Sequence, residues 1–115
     1  MLRLASERSE LSVVDDQVGA PTLAEDLAST LVSLYESGVH KNPMHILHFT
    51  NSGSCSWYDF ATEIARISGL STPIRPIPTS AYPTKAVRPR YSVLSLSSIE
   101  RYGIYPRHWK EALAN

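Results

Sequence analysis

This 115-residue sequence has a single cysteine, no long apolar run and no stretch that resembles a secretory leader. The one cysteine, Cys55, cannot form an internal disulfide and fits a reducing, cytoplasmic setting. No apolar run approaches the roughly 20 residues that a membrane span requires. Residues 1–10 lack the apolar stretch of a secretory signal. We therefore expect a cytoplasmic protein without a membrane partner.

Closely spaced glycines are also missing. The glycines are scattered along the chain: Gly19, Gly38, Gly53, Gly69 and Gly103. A dinucleotide fingerprint or a P-loop needs glycines a few residues apart, so that the backbone can approach the phosphates. The chain alone is therefore expected to bind no cofactor.

Net charge is absent as well, but the charges are unevenly placed. Eleven basic and eleven acidic residues cancel, so no overall field favours nucleic acid as a partner. No Asp or Glu lies between Ile64 and Ile99, and the basic residues of that stretch are Arg66, Arg75, Lys85, Arg88 and Arg90. Two interpretations stay open: a site for an anionic ligand such as a phosphorylated small molecule, or a solvated basic loop that pairs with acids elsewhere in the fold.

Three short runs predict strands. Leu11–Val14 is β-branched, Met44–Phe49 is apolar, and Tyr91–Leu96 is a third candidate. Residues 15–22 carry a glycine and a proline and are expected to form a loop.

Helices are better marked than strands. Thr22 and Glu25 have the spacing of a capping box and Gly38 supplies a stop, so a helix is expected between them. Its apolar face repeats at helical spacing and comprises Leu23, Ala24, Leu27, Ala28, Leu31, Leu34 and Tyr35.

A further helix is expected to begin at Ser56, with Asp59 completing a capping box, and to end at Gly69. Its apolar side chains are predicted to be buried: Trp57, Phe60, Ala61 and Ile64. Residues 71–89 contain five prolines, so turns and extended backbone are expected there.

Strands and helices alternate, which favours an α/β or α+β domain. Helices are also expected within Met1–Glu10, from Ser97 with a capping box to Gly103, and from Pro106 to Leu113. A sheet of a few short strands can bury only part of the apolar faces of four or five amphipathic helices. The chain is therefore expected to be a piece of a larger fold.

Two arrangements that would carry chemistry lack the spacing they need. A tyrosine activated by a lysine requires the two residues four apart on a helix, whereas Tyr82 and Lys85 are three apart among prolines. On a strand, His45 and His48 would point to opposite faces, which disfavours a shared metal. We predict neither a catalytic residue nor a metal site.

Other features have structural interpretations. Asp15 and Asp16 are adjacent and cannot face one another, so solvation or backbone capping is preferred. Cys55 is expected to be a buried thiol. Arg88 precedes Pro89, which fixes the backbone direction, and a guanidinium group suits bidentate contact with a diphosphate.

Several stretches follow one another in an order and spacing that are specific. They are Leu11–Thr22 (LSVVDDQVGAPT), His48–Asn51 (HFTN), Cys55–Ala61 (CSWYDFA), Pro78–Thr84 (PTSAYPT), Arg88–Pro89 with Ser92 and Leu94, and His108–Trp109. Together they resemble the later half of dTDP-4-dehydrorhamnose reductases, and they span nearly the whole chain.

The resemblance implies part of a Rossmann-fold extended short-chain dehydrogenase. In that family an N-terminal Rossmann domain binds NADPH or NADH and holds the catalytic Thr/Ser, Tyr and Lys, while a smaller C-terminal domain closes over the nucleotide-sugar. The implied reaction is hydride delivery to the C4 ketone of dTDP-4-dehydro-L-rhamnose, which yields dTDP-L-rhamnose for cell-surface polysaccharides. This sequence lacks the glycine loop and the Tyr-xxx-Lys motif. Residues 1–115 are therefore expected to be a single C-terminal substrate-binding domain fragment without the Rossmann domain, inactive alone.

Family position also implies site residues. Gln17, Gly19, Pro21 and Thr22 belong to the loop close to the nucleotide-sugar pocket, and Arg88 belongs to the diphosphate side. The alternative for the loop is structural, since its glycine and proline also shape the turn before the helix.

A different class of function stays open, namely a non-catalytic module that binds a nucleotide-sugar or another protein. Without a Rossmann half, apolar helix faces such as the one along Leu23–Leu34 would be uncovered, and exposed apolar patches drive association. We therefore expect a homo-oligomer.

Overall fold

The computed structural model of the chain describes residues 1–41 and 46–114. Within these ranges the protein is mixed α/β, with five α-helices and four short strands, which confirms the predicted fold class. In chain order the elements are α1 (Leu2–Glu7), β1 (Leu11–Val14), β2 (Val18–Gly19), α2 (Ala24–Glu36), β3 (Cys55–Ser56), α3 (Trp57–Ile67), β4 (Ile74–Ile77), α4 (Ser97–Glu100) and α5 (Trp109–Leu113). They form two compact units, the first of residues 1–19, 54–93 and 114, the second of the described parts of 20–53 and 94–113.

The first unit is built on two pairs of strands. β1 and β4 are parallel, with Leu11 opposite Ile74, and α3 packs against both. β2 and β3 are antiparallel, with Val18 opposite Ser56. Pro76 is tolerated in β4 because, among the described residues, that strand has a neighbour on one side only and Pro cannot donate to a second ladder.

Helix α3 confirms one predicted cap and corrects part of a predicted core. Ser56 Oγ accepts the Asp59 N–H at 3.0 Å, and the Asp59 carboxylate accepts the Ser56 N–H at 3.0 Å, which is the predicted capping box. Ala61 is buried, but Trp57 is 57% exposed, so its predicted burial is wrong. Trp57 is the first residue of the helix, whereas Ala61 lies one turn further in.

The second unit contains α2, α4 and α5, with Ile99 and Trp109 at its core. Helix α2 begins at Ala24, and its predicted capping box is wrong. The Thr22 hydroxyl donates to the Ala20 carbonyl at 3.2 Å instead of capping the helix. Leu23 is the cap residue, and its own N–H donates to Asn51 Oδ1 at 2.7 Å. The predicted stop at Gly38 is confirmed, since this glycine has φ of 78° just beyond the helix.

Several predicted bounds are corrected. The predicted strand Met44–Phe49 lies partly outside the described residues, and residues 46–49 form no strand, since no described strand lies beside them. In Tyr91–Leu96 only Tyr91 pairs, through one bridge to Val18.

The two C-terminal helices also differ from their predicted starts. The last helix begins at Trp109 rather than Pro106, because the Arg107 carbonyl and the Trp109 N–H bond to Ser52 in a bridge that helical backbone cannot make. Helix α4 begins at Ser97, but Ser97 does not form the predicted capping box, since Leu96 is the cap residue.

No helix in the described ranges is long and apolar enough to cross a bilayer. Across residues 1–41 and 46–114, no three His, Cys, Asp or Glu side chains group to hold a metal ion. His45, one of the histidines considered above, lies outside the described residues.

Candidate functional site

The first unit holds residues 15–19 between two other parts of the chain. On one side the Asp15 N–H donates to the Ile77 carbonyl at 3.0 Å, directly after β1 and β4 end. On the other side the Val18 N–H donates to the Arg90 carbonyl at 2.8 Å, and Val18 accepts from the Ser92 N–H at 2.9 Å. The backbone on both sides of Gln17 is therefore fixed.

Side chains reinforce this arrangement. Asp16 Oδ1 accepts the Thr79 N–H at 2.9 Å and also the Thr79 hydroxyl. Gln17 Nε2 donates to the same hydroxyl oxygen at 3.2 Å. The hydroxyl bond, aided by the Thr79 N–H and the charge of Arg90, lowers the pKa of Asp16 despite the opposing effect of burial. The sequence left solvation and backbone capping open for Asp15 and Asp16, and the bond from the Thr79 N–H shows that Asp16 caps backbone.

Gly19 contacts Ser92 closely. A Cβ placed on Gly19 would lie 3.2 Å from Ser92 Oγ, which is tighter than ordinary van der Waals contact. Ser92 Oγ is itself bonded to the Val18 carbonyl at 3.3 Å. A larger residue at position 19 would therefore push on a side chain that is tied to the neighbouring backbone.

The basic residues between Ile64 and Ile99 differ in whether they form ion pairs. Arg66 pairs with Glu63 and Arg75 pairs with Glu10, each at 2.6 Å, so pairing with acids accounts for both. The Glu63 hydrogen bond raises the pKa of Arg66. Arg88 is exposed and forms no ion pair with any residue in the described ranges. It is thus available to an anion, although no described contact joins it to residues 15–19.

The remaining two predicted site residues lie in the second unit. Thr22 is exposed and bonded only within its own turn, and Pro21 is half-buried beside it. The next residue, Leu23, is held by Asn51. Neither Pro21 nor Thr22 is brought to Gln17 by a described hydrogen bond.

Asn51 is at the centre of a polar network in the second unit, and its side chain is completely buried. It accepts from the Leu23 N–H and donates to the Asp26 carboxylate, both at 2.7 Å, and donates to the Arg107 carbonyl at 3.3 Å. Arg107 forms a bidentate pair with Asp26, both bonds measuring 2.8 Å. The bonds from Arg107 and then Asn51 lower the pKa of Asp26. The network links the start of α2 to the chain before α5.

Sequence patterns missed both Thr79 and Asn51. Thr79 lies within PTSAYPT and Asn51 ends HFTN, so each belongs to a stretch that resembles the reductases. Neither has a nearby partner in sequence: Thr79 bonds to Asp16 across 63 residues, and Asn51 bonds to Leu23 across 28. No local signal could have identified these partners.

The glycines of the described ranges do not form the glycine-rich turn of a dinucleotide site. Gly38, Gly69 and Gly103 have positive φ because each lies just past the end of a helix. Gly53 precedes α3 without a second glycine between it and the helix, so no glycine-rich turn leads from a strand into a helix N-terminus in the described ranges.

Comparison with known proteins gives a consistent result. The family described as the RmlD substrate binding domain matches residues 1–115. The spore coat polysaccharide biosynthesis protein SpsK of Bacillus subtilis is 50% identical over 113 residues, covering 98% of this chain and 38% of SpsK. A dTDP-4-dehydrorhamnose reductase of Aggregatibacter actinomycetemcomitans is 40% identical, covering 100% of this chain and 42% of that protein.

Solved structures agree. A dTDP-4-dehydrorhamnose reductase from Clostridium acetobutylicum superposes with a TM-score of 0.91 at 38% identity, over 98% of this chain and 39% of that one. The Bacillus anthracis reductase, solved in complex with NADP, gives a TM-score of 0.85 at 33% identity, over 97% and 39%. The chain spans about two fifths of the length of the relatives it matches.

Proposed function

Because this chain belongs to the RmlD substrate binding domain family, we propose that residues 1–115 are the substrate-binding domain of a dTDP-4-dehydrorhamnose reductase. The observation that carries the proposal is the family match over every residue of the chain. The proposed reaction of the intact enzyme is reduction of dTDP-4-dehydro-L-rhamnose to dTDP-L-rhamnose, with NADPH or NADH as the hydride donor. In this proposal the chain binds and orients the nucleotide-sugar, and a Rossmann domain outside these residues supplies the cofactor site.

Arg88 is proposed to hold the diphosphate. Its guanidinium group is exposed and has no described acidic partner, so phosphate oxygens would not have to displace an existing ion pair. Gln17 and Gly19 are proposed to lie against the nucleotide-sugar in the first unit. Pro21 and Thr22, in the second unit, are proposed as substrate-binding residues on the family resemblance alone.

Calorimetric titration with dTDP-L-rhamnose and with dTDP tests this proposal. Arg88→Ala is expected to weaken binding at least about tenfold, the effect of losing a charge-assisted hydrogen bond. Arg75→Ala is the matched control, since Arg75 is also exposed and in the first unit but already pairs with Glu10. Absence of heat with wild-type protein, or equal effects of the two substitutions, would contradict the assignment.

The chain alone is proposed to be catalytically inactive. Hydride transfer needs a cofactor held against the ketone with a proton donor beside it. No glycine-rich turn lies in the described ranges, and Tyr82 lies at the end of a short turn without a lysine at helical spacing. We expect no oxidation of NADPH in the presence of dTDP-4-dehydro-L-rhamnose, followed by absorbance, and turnover that persists after repurification would overturn this expectation.

A second candidate function is self-association through α2. Apolar side chains of this helix are exposed, with 38% for Leu27, 58% for Leu31 and Val32, and 67% for Tyr35. Such a patch on one helix favours association in water. Light scattering is expected to give a mass above 12.8 kDa that falls to the monomer value in Leu31→Lys. A wild-type monomer at high concentration would refute self-association without affecting the substrate-domain proposal.

A further inference from the structure

The hydrogen-bond donors and acceptors around the Thr79 hydroxyl determine which end of the Gln17 amide faces Thr79. The Asp16 carboxylate accepts from both the N–H and the hydroxyl of Thr79. An ionised carboxylate is an acceptor only, and a hydroxyl group has a single proton. Because the Thr79 hydroxyl already donates its one hydrogen bond to Asp16, its oxygen can only accept a hydrogen bond from any other group.

The group of Gln17 that lies 3.2 Å from this oxygen must therefore be a donor, which is the NH₂ of the amide. An amide carbonyl in its place would face oxygen lone pairs. Gln17 Oε1 is consequently turned away from Thr79. None of the described residues donates a hydrogen bond to Oε1, and the side chain is half-buried rather than enclosed.

We propose that Thr79 is a positioning residue, which orients Gln17 so that Oε1 is presented to the nucleotide-sugar and accepts a hydrogen bond from it. The inference rests on the proposed function, because it assumes that Gln17 faces this ligand. The ligand group that contacts Gln17 Oε1 must then be a hydrogen-bond donor. Phosphate oxygens only accept hydrogen bonds. Gln17 Oε1 therefore accepts a hydrogen bond from either the thymine imide N–H or a sugar hydroxyl, while Arg88 donates to the diphosphate.

The surrounding backbone makes this orientation effective. Bonds from Asp15 to Ile77 and from Val18 to Arg90 hold the chain on both sides of Gln17. A side chain whose backbone and amide are both held presents its acceptor in one direction before the ligand arrives, which lowers the cost of binding. Thr79 thus acts on the ligand through Gln17 without touching it.

The orientation can be measured without any ligand. Gln17 is the only glutamine in the chain, so selective ¹⁵N labelling of glutamine yields a single pair of side-chain amide signals. In wild-type protein these signals are expected to be shifted from free glutamine and to exchange slowly with water. Thr79→Val, which keeps the side-chain shape but removes the hydroxyl, is expected to abolish both effects, and Thr79→Ser to restore them. A Gln17 amide unchanged by Thr79→Val would overturn the orientation.

The effect on the ligand is measured by calorimetry. Thr79→Val is expected to weaken dTDP-L-rhamnose binding between about threefold and tenfold, the range of one neutral hydrogen bond, with Thr79→Ser within about twofold of wild type. An equal loss for dTDP would place the donor on the thymidine, as the thymine imide or the deoxyribose hydroxyl, and a loss confined to dTDP-L-rhamnose would identify a rhamnose hydroxyl. Wild-type affinity in folded Thr79→Val would overturn the inference while the proposed function stands.

Two further results distinguish the remaining possibilities. Failure of the wild-type chain to bind either ligand contradicts the proposed function and the ligand part of the inference, whereas the amide spectrum still decides the orientation. If Thr79→Val does not fold, Gln17→Leu replaces it, since this change removes the amide but leaves the Asp16–Thr79 bonds intact. Undiminished affinity in Gln17→Leu would then overturn the inference.

Discussion

Replacement of Asn51 by alanine is expected to lower the free energy of unfolding by about 3 kcal/mol, because the part-buried Leu23 N–H loses its only described acceptor and the Asp26 carboxylate loses one of its donors. The largest single loss is at the Leu23 N–H, which no other described residue accepts at the start of α2. Asp26 retains Arg107, but one of its oxygens loses the Asn51 amide. Chemical denaturation followed by circular dichroism measures the change.

The matched control is Ser33→Ala on the exposed side of the same helix. The Ser33 hydroxyl donates to the Ser29 carbonyl at 3.1 Å, a bond that water replaces readily. Its loss is expected to change the free energy of unfolding by less than about 0.5 kcal/mol. Equal effects of Asn51→Ala and Ser33→Ala would show that the buried network does not stabilise the second unit.

The stability of Asn51→Asp as a function of pH distinguishes a hydrogen-bonding role of Asn51 from a role in packing alone. It places a second carboxylate beside Asp26, so the folded pKa of the new group is raised, and this variant should gain stability as pH falls from neutrality. In the wild-type protein Asp26 acts in the opposite direction: its folded pKa is lowered, first by Arg107, so its stabilisation is present above the ordinary value of 3.8 and is lost as pH falls through the folded value. Stability that rises on mild acidification before falling is therefore the expected signature.

The Asn51 network also shows where sequence reasoning reaches its limit. Ser56 with Asp59 and Thr22 with Glu25 have the same spacing, yet only the first pair forms a capping box. In the first case both partners lie within one turn, so local chemistry decides. In the second, Asn51 lies 28 residues away and binds the Leu23 N–H. Contacts of that separation have no signal in a local pattern.

The candidate site shows the same division. Gln17 and Arg88 are predicted from the family resemblance, because their stretches have a specific order along the chain. The contact of Thr79 with Gln17 could not be predicted, because it depends on where the chain returns after β4. The basic stretch was likewise ambiguous, and only the fold shows that Arg75 has an acidic partner in Glu10.

Gly53→Ala is expected to destabilise the second unit by about 3 kcal/mol, the sum of a backbone cost and a steric cost. Gly53 has φ of 81°, which disfavours any residue with a Cβ. A Cβ at this position would also lie 2.3 Å from His108 Nε2 and 3.1 Å from Trp109 Cδ1. The imidazole cannot turn away freely, because His108 Nδ1 accepts the Lys110 N–H at 3.2 Å.

Gly103→Ala is the matched control for the backbone cost. Gly103 has φ of 74°, but its added Cβ would meet nothing within 4 Å, so a loss of only about 1 kcal/mol is expected. The double variant Gly53→Ala with His108→Ala, compared with His108→Ala alone, should recover most of the steric part and leave a loss similar to that of Gly103→Ala. If Gly53→Ala and Gly103→Ala cost the same, the contact with His108 is not a constraint.

Because Gly53 follows Asn51 by two residues, a clash that displaces this segment should also weaken the Asn51 bonds. Gly53→Ala and Asn51→Ala together are therefore expected to lower the free energy of unfolding by less than the sum of their separate effects.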